Sequence, residues 1–521
     1  MPREIELKFE LDKTEVARMR SLLVACFGPP SSAKHLTSVY YDTAAQDLAA
    51  AGVSLRVRLE KSGAAIQTVK RAGTSTAALF DRDEWETPLT TPQPDLKAFV
   101  STPAGADLAD ASLRLAPIFE SVVDRRVWQV AHAGSRIEVA LDQGRVVAGR
   151  RSQPFVELEL ELKHGVPGDL FGLVHAFGEV GSLRPGVLTK SERGYRLLRH
   201  KPGRASKAEP LRLDKHMSTG QAFQAIVHAC LRHFGLNAPL VIARRSPDAL
   251  HQSRVALRRL RSALSLFKTV AADARYDALK GELQAVSQAL GEARNLDVYL
   301  AHSAKPEAER GAKEPGLDAF LKEMEKRRTT AYDEAVARLD SPAFNSLLIR
   351  LVEWTEAGAW SLDPDPLRSA VRDGSVRRVA ADMLEKRRRR VVRRGRHLAA
   401  LDPHARHQVR IEAKKLRYAA EFFAGLARRP KAMKRHVLFI AELEELQDAL
   451  GQLNDVQTGH EIALSFAPDA NGRNGSLHEG AFAASHVSGL EDARVGPLLE
   501  AAEQAHARLT KAKRFWSAWL D

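Results

Sequence analysis

Glu4-Ile5-Glu6-Leu7-Lys8-Phe9-Glu10-Leu11 is the stretch on which the reading of this 521-residue sequence turns. Successive side chains of a strand point to opposite faces, so Glu4, Glu6, Lys8 and Glu10 share one face and Ile5, Leu7, Phe9 and Leu11 the other. For a single such segment the commoner outcome is a strand wetted on one side. The alternative is a site whose carboxylates hold a divalent metal and whose lysine holds an anion. The rest of the chain decides between them.

The same period recurs. After a helical pattern from Lys13 to Phe27, Val53-Ser54-Leu55-Arg56-Val57-Arg58-Leu59-Glu60 sets Arg56, Arg58 and Glu60 opposite Val53, Leu55, Val57 and Leu59. Ile66 to Lys70 follows a glycine turn as its hairpin partner. Arg82, Glu84 and Glu86 alternate with Asp83, Trp85 and Thr87, and Arg136 to Asp142 alternates charged and apolar residues. Val156-Glu157-Leu158-Glu159-Leu160-Glu161-Leu162-Lys163 places three carboxylates and an ammonium opposite four apolar residues. The signs are sorted: acidic faces hold Glu4/Glu6 and Glu157/Glu159/Glu161, basic ones Arg56/Arg58 and Lys70. A sheet wetted on one side needs no such sorting, whereas a sheet closed into a barrel can turn its charged face inward and line a tunnel, with helices over the apolar outside.

Composition bounds the remaining choices. The hydrophobic content of 44% suits a globular protein with more than one domain. No apolar run long enough to span a bilayer stands out, and charged residues occupy the place of a signal peptide's apolar region, so the expectation is a cytoplasmic protein without a membrane partner. Cys26 and Cys230 lack paired spacing, against a disulfide framework or a cysteine zinc site. Lys and Arg number 79 against 65 Asp and Glu, of which 26 and 25 fall in residues 1–200 and 53 and 40 beyond. The basic balance therefore belongs to the second part and implies a polyanionic partner: nucleic acid, an anionic membrane surface or polyphosphate.

A basic, Pro- and Gly-bearing linker, residues 204–217, separates an N-terminal domain (1–203) from a helical one (218–521). The helical part repeats itself. His251-Gln252-Ser253-Arg254-Val255-Ala256-Leu257-Arg258-Arg259-Leu260-Arg261 returns as His407-Gln408-Val409-Arg410-Ile411-Glu412-Ala413-Lys414-Lys415-Leu416-Arg417, and Ala289-Leu290-Gly291 with Asn295 and Asp297 returns as Ala449-Leu450-Gly451 with Asn454 and Asp455. Two related halves of a helical bundle are indicated. On a helical wheel His251, Arg254, Arg258 and Arg261 share one narrow arc, and His407, Arg410, Lys414 and Arg417 reproduce it. One such arc reads as a solvated face; its duplication reads as a binding stripe, two facing basic rows for a linear polyanion. Arg387 to Arg390, with Arg393, Arg394 and Arg396, are a further basic run that reads equally as a solvated face. Neither histidine has a second ligand at metal spacing, so both read as phosphate donors or packing residues. Aromatic residues are only 6%, and no nucleic-acid motif accompanies the stripes, which makes nucleic acid the weaker candidate. Asn474-Gly475-Ser476 reads as part of a loop.

Glu4-x-Glu6-x-Lys8, Leu55-Arg56-Val57-Arg58, Thr68-Val69-Lys70, the Glu157/Glu159/Glu161 strand and Thr189-Lys190-Ser191-Glu192-Arg193-Gly194-Tyr195 together resemble a CYTH domain, the triphosphate tunnel metalloenzyme family, over about residues 1–200. The resemblance implies an α+β chain whose N-terminal antiparallel β tunnel, flanked by helices, hydrolyses inorganic triphosphate. It puts Glu4, Glu6, Glu157 and Glu159 at a Mg²⁺ or Mn²⁺ ion, with Glu161 a further candidate, and makes Glu4, Glu6 and Lys8 the catalytic set. Lys8, Arg56, Arg58, Lys70, Arg125, Lys190 and Arg193 would hold phosphate; Arg126 could replace Arg125. No Ser/His/Asp or Cys/His nucleophile arrangement is evident. The family also holds thiamine triphosphatases and adenylate cyclases. The cyclase branch carries a His-Phe pair upstream of its first motif, where this sequence has Met1, Pro2 and Arg3, which counts against cyclase activity.

The duplicated helices and the ending Ala512-Lys513-Arg514-Phe515-Trp516 resemble a CHAD domain, over about residues 218–521. That resemblance implies polyphosphate binding and recruitment to polyphosphate granules. The competing class is a non-catalytic polyphosphate-binding or granule-associated protein, and the acidic strands argue for catalysis, because a pure anion binder would gain from losing them.

Overall fold

The computed structural model describes residues 3–60, 63–108, 114–177, 183–199, 203–301, 317–464 and 495–519. The Asn474 segment lies outside them. The chain divides into two compact units: residues 1–208 with 228–244 and 339–359, and residues 209–227, 245–338 and 360–521.

The first unit is built on eight antiparallel strands: β1 (Arg3–Glu10), β2 (Ser32–Asp42), β3 (Val53–Leu59), β4 (Ala65–Ser75), β5 (Leu79–Leu89), β6 (Ala116–His132), β7 (Ser135–Ala148) and β8 (Arg151–His164). Their order is β5-β4-β3-β2-β6-β7-β8-β1, and β1 also pairs with β5, which closes the barrel. The first stretch is thus hydrogen-bonded on both sides, Glu4 opposite Arg82 and Glu6 opposite Phe80 on β5, Lys8 opposite Glu159 and Glu10 opposite Glu157 on β8. Closure removes both sheet edges.

The apolar faces point outward and are covered. Leu7, Phe9, Leu158 and Leu160 are fully buried, under helices that include α1 (Val16–Phe27) and α2 (Gly168–Phe177), the latter packed on β8. Each such side chain contributes about 1.5–3 kcal/mol of hydrophobic stabilisation. The inner face is not charged throughout. Near one end of the lumen Tyr40, Phe119, Val123, Val146, Ala148 and Phe155 form an apolar cluster with Tyr195 and Leu197 of α3 (Lys190–Leu198), so this helix plugs that end. Gly194 allows the fit: a Cβ there would overlap the Phe119 ring. The Tyr195 hydroxyl donates to the buried Asp42 carboxylate at 2.6 Å, which satisfies its polar end.

The second unit is helical. α4 (Thr219–Gly235) enters it and contributes its residues from His228 onward to the first unit. The duplicated segments are α5 (Pro247–Leu266) and α6 (Pro403–Phe422), each of 20 residues. Both start with proline after an N-cap, Ser246 or Asp402, whose side chain accepts the N–H of Ala249 or Ala405. α5 and α6 pack on each other, and the phenylalanines at their C-caps, Phe267 and Phe423, lie 6.2 Å apart. The sequence repeat is therefore also a structural one. Contrary to the expectation from sequence, one helical stretch, Thr219–Arg244, is long and apolar enough to cross a membrane by length and composition; 61% of its most apolar window is buried inside the protein.

Candidate active site

A cavity of about 200 Å³ in the first unit is lined almost wholly by the inward residues of the barrel strands and the first turn of α3. Glu4, Glu6, Lys8, Arg56, Arg58, Lys70, Arg125, Glu159, Glu161 and Lys190 all face it, as the alternating pattern requires. Register explains the grouping: Lys70 stands opposite Glu84, Thr68 opposite Glu86, Arg125 opposite Asp142, and Glu138 opposite Glu161.

At one side of the cavity Glu4 receives Lys70 Nζ at 2.8 Å on both oxygens and Arg82 Nε at 2.6 Å. Arg82 Nη2 donates to Glu6 at 2.8 Å. Burial works against ionisation of Glu4, but Lys70 and Arg82 outweigh it and hold its carboxyl well below the ordinary range. In Glu6 the balance reverses: burial, reinforced by Glu4 and Glu159, exceeds the attraction of Arg82 and Lys8 and raises it. Two residues apart on one strand face, these carboxyls are tuned in opposite directions. Glu161 is pushed up to about 7, by burial first and with Glu4 and Glu6 adding to it against Lys163.

Deeper in, Asp142, Glu157 and Glu159 bring carboxylate oxygens within 4.8 Å of one another. Lys190 Nζ stands among them, 2.9 Å from Asp142 Oδ2, 2.9 Å from Glu157 Oε2 and 2.7 Å from Glu159 Oε1. Lys8 Nζ lies 3.0 Å from Glu159, and Arg125 forks onto Asp142 at 2.8 and 2.7 Å while also reaching Glu159. Burial opposes ionisation of all three acids, yet the cations prevail and their carboxyls are lowered.

The basic wall differs. Arg58 makes no ion pair among the described residues, and the Nε atoms of Arg56 and Arg58 are buried without a hydrogen-bond acceptor. Arg58 is pushed down to about 10, first by Arg56, then by burial and Arg125. A buried guanidinium nitrogen without an acceptor is costly, and an anion oxygen would remove that cost.

Lys8, 3.8 Å from Glu6 and 3.0 Å from Glu159, links the two parts of the expected metal set. Glu4 and Glu6 lie with Lys70 and Arg82, whereas Glu157 and Glu159 converge with Asp142, a residue the sequence reading did not assign. The trio's hard carboxylate oxygens converge on one point, which the Lys190 ammonium holds, so a divalent ion of the oxygen-loving kind would fit there only by displacing it. Glu157 and Arg193 do not line the cavity: they pair behind it, Arg193 Nε 3.2 Å from Glu157 Oε1, with Arg193 also bound to Glu10. Arg125, not Arg126, faces the cavity. Arg82, Asp142, Glu84, Glu86 and Glu138 were unassigned although each holds the inward parity of its strand; parity was the signal that could have found them.

In the helical unit the two basic rows come together. Arg258 lies close enough to Arg410 and Lys414 to lower the proton affinity of both, after burial. Lys414 is pushed down to about 6, by burial and then Arg410 and Arg258. The Nε atoms of Arg254, Arg258 and Arg410 are buried without acceptors among the described residues. The row ends are better satisfied, with Arg417 3.2 Å from Glu444 and Arg261 3.4 Å from Gln284. His251, pushed down to about 4 by burial and by Arg294, Arg258 and Arg254, is neutral at pH 7 and retains one N–H to donate. His407 Nδ1 is bonded to Asn454 Oδ1 at 2.5 Å. Arg387 is buried and paired with Glu412, so it does not extend a basic surface.

A closed antiparallel barrel with sorted charge in its lumen, joined to a duplicated basic helical unit, defines the class. Family models match the chain accordingly, a CYTH domain over residues 2–195 and a CHAD domain over residues 225–464. The chain carries a CYTH domain followed by a CHAD domain. It is 34% identical over 169 residues to a Haemophilus influenzae protein named inorganic triphosphatase, which covers 31% of this chain and 46% of that protein. The chain thus spans about half the length of this curated relative. Among solved structures, the CHAD domain from the plant Ricinus communis is 27% identical, covering 58% of this chain and 96% of that one, with a TM-score of 0.49. PptA from Streptomyces chartreusis is 17% identical, covering 56% and 99%, with a TM-score of 0.42.

Proposed function

We propose that the barrel cavity hydrolyses inorganic triphosphate with a divalent cation, Mg²⁺ or Mn²⁺, and that the basic rows of the helical unit bind polyphosphate. The observation that carries the first half is one cavity of about 200 Å³ in which Arg58, which makes no ion pair among the described residues, shares the wall with carboxyls tuned apart. An anion binder alone gains nothing from the acids. The name of the Haemophilus influenzae relative supports the same reading.

Phosphoryl transfer depends on positioning and charge neutralisation more than on covalent chemistry. Arg56, Arg58 and Lys70 grip phosphate oxygens through charge-assisted hydrogen bonds. A divalent cation held by Glu4, Glu6 and Glu159, which line the cavity, would supply further neutralisation of phosphate charge. A water oxygen bonds to the terminal phosphorus, the bond from that phosphorus to the bridging oxygen breaks, and pyrophosphate leaves. The water proton passes to a wall carboxylate, and Glu161, with its proton affinity near neutrality, suits that role.

The test is phosphate release from inorganic triphosphate, ATP, thiamine triphosphate and long polyphosphate, with Mg²⁺, with Mn²⁺ and with EDTA. Metal-dependent turnover with inorganic triphosphate preferred is the expected result; no turnover of any of them overturns the reading. For the helical unit, the unaccepted Nε atoms of the facing rows support polyphosphate; a cytoplasmic setting at polyphosphate granules is proposed from the CHAD resemblance alone. Competition of labelled polyphosphate by duplex DNA at fixed salt tests it, and equal affinity per charge would defeat it.

A further inference from the structure

Residues 228–244 belong to the same compact unit as the barrel, and one of them reaches the start of the plug helix. Arg232 Nη1 donates to the Val187 carbonyl at 2.9 Å and to Ser75 Oγ at 3.0 Å, and its Nη2 donates to Glu192 Oε1. Ser75 ends β4, Val187 leads into α3, and Glu192 stands in the first turn of α3. The other Glu192 oxygen accepts the Thr189 N–H at 2.8 Å, while Thr189 Oγ1 accepts the Glu192 N–H at 3.0 Å. Arg232 therefore braces a capping box from outside. Burial opposes ionisation of Glu192, but Arg232 and then the Thr189 backbone lower its carboxyl. Gly235 is a second, independent contact: a Cβ there would come 2.5 Å from Val187 Cγ2, so the helix backbone lies flush against the chain entering α3.

Thr189, Lys190 and Ser191, the residues this brace holds, line the cavity. We propose that Arg232 is a positioning residue for Lys190, so that a helical segment beyond the linker completes the triphosphate site of the barrel. The proposal rests on the triphosphate reading above. Lys190 reaches three carboxylates within 2.9 Å, and a shift of the first turn of α3 would break that geometry. Displacements near 1 Å in positioning groups can cost about a hundredfold in rate.

The experiment uses the full-length chain. Tripolyphosphate affinity is measured by calorimetry in EDTA for the wild type, Arg232→Ala, Arg232→Lys and Glu192→Gln, alongside phosphate release by the wild type with Mg²⁺ and Mn²⁺. Arg232→Ala is expected to weaken binding about tenfold, and Arg232→Lys to recover only part of it, because one ammonium does not reproduce the planar fork. Glu192→Gln keeps an oxygen for Thr189 but loses the ion pair, and its effect is expected to be non-additive with that of Arg232→Ala. Should Arg232→Ala fail to fold, Arg232→Lys and Glu192→Gln carry the test. Folded variants that lose thermal stability but bind within twofold of the wild type overturn the proposal. A wild type that binds tripolyphosphate without cleaving it overturns the hydrolase reading and leaves the Arg232 comparison decided by affinity. A wild type that neither binds tripolyphosphate nor cleaves it with Mg²⁺ or Mn²⁺ overturns both.

Discussion

Lys190 Nζ lies 2.9 Å from Asp142 Oδ2, joining the plug helix to the centre of β7 through a carboxylate with no solvent exposure. Asp142 also carries the two-pronged contact from Arg125. Removing one partner of a buried ion cluster leaves the others uncompensated, at a cost of about 3–5 kcal/mol. Asp142→Asn is therefore expected to lower the denaturation midpoint markedly and to depress turnover of inorganic triphosphate. An unchanged midpoint would show that Lys190 and Arg125 are neutralised without it.

Glu6 and Glu4 should respond differently to the same substitution. Glu6 is already raised by burial, so Glu6→Gln removes a charge the fold holds reluctantly. Stability is expected to change little and phosphate release to fall by roughly a hundredfold or more, the scale of losing one electrostatic catalytic group. Glu4→Gln breaks the contacts with Lys70 and Arg82 and is expected to destabilise as well. Near-normal turnover in folded Glu6→Gln would remove Glu6 from the catalytic set.

Gly194→Ala tests the plug. In a helix interior alanine is normally favoured over glycine by about 1 kcal/mol, but here its Cβ meets the Phe119 ring. Overpacking costs typically about 1–3 kcal/mol and should win. The expected outcome is a less stable protein with weakened tripolyphosphate binding, read by thermal denaturation and calorimetry. A stabilised variant would mean that α3 sits more loosely than the geometry indicates.

Glu161 predicts a pH dependence. Its folded proton affinity, near pH 7, exceeds that of an exposed glutamate, so folding favours the protonated form. The stability it contributes is complete below the unfolded value, near pH 4.5, and is lost as pH rises through about 7. Glu161→Gln should thus stabilise the protein at pH 8 relative to the wild type, by on the order of 1–3 kcal/mol, and hardly at all at pH 4.5. Equal differences at the two pH values would count against the raised carboxyl.

Lys414 gives the helical unit a separate signature. Free, it loses its proton near pH 6 because of burial, Arg410 and Arg258. A bound polyanion favours the charged ammonium, so binding above pH 6 takes up a proton and weakens as pH rises. Calorimetry of polyphosphate binding in buffers of different ionisation enthalpy measures that uptake, and Lys414→Arg should abolish it. Uptake unaltered in Lys414→Arg would assign the proton elsewhere.

Period-two alternation with sorted signs was enough to place Glu4, Glu6, Lys8, Arg56, Arg58, Lys70, Glu159 and Glu161 on one inward surface, because side-chain direction in a strand is a property of the local backbone. The repeat from His251 and from His407 likewise marked two equivalent helices before any packing was known. Local pattern carries no information about depth along a barrel or about the neighbour across it. That is why Glu157, correct in parity, pairs with Arg193 of α3 behind the cavity, and why Arg82 and Asp142 became central only through the register of β1 with β5 and of β7 with β8. His251 reads from sequence as a phosphate donor or a packing residue, and only its burial among arginines shows that its imidazole is uncharged at pH 7. The sequence by itself determined which faces are charged and which helices are duplicates, since both follow from periodicity. Only the tertiary structure decided which charge meets which, that α3 plugs one end of the lumen, and that Arg232 braces it, since contacts between residues distant in the chain depend on closure and packing rather than on local pattern.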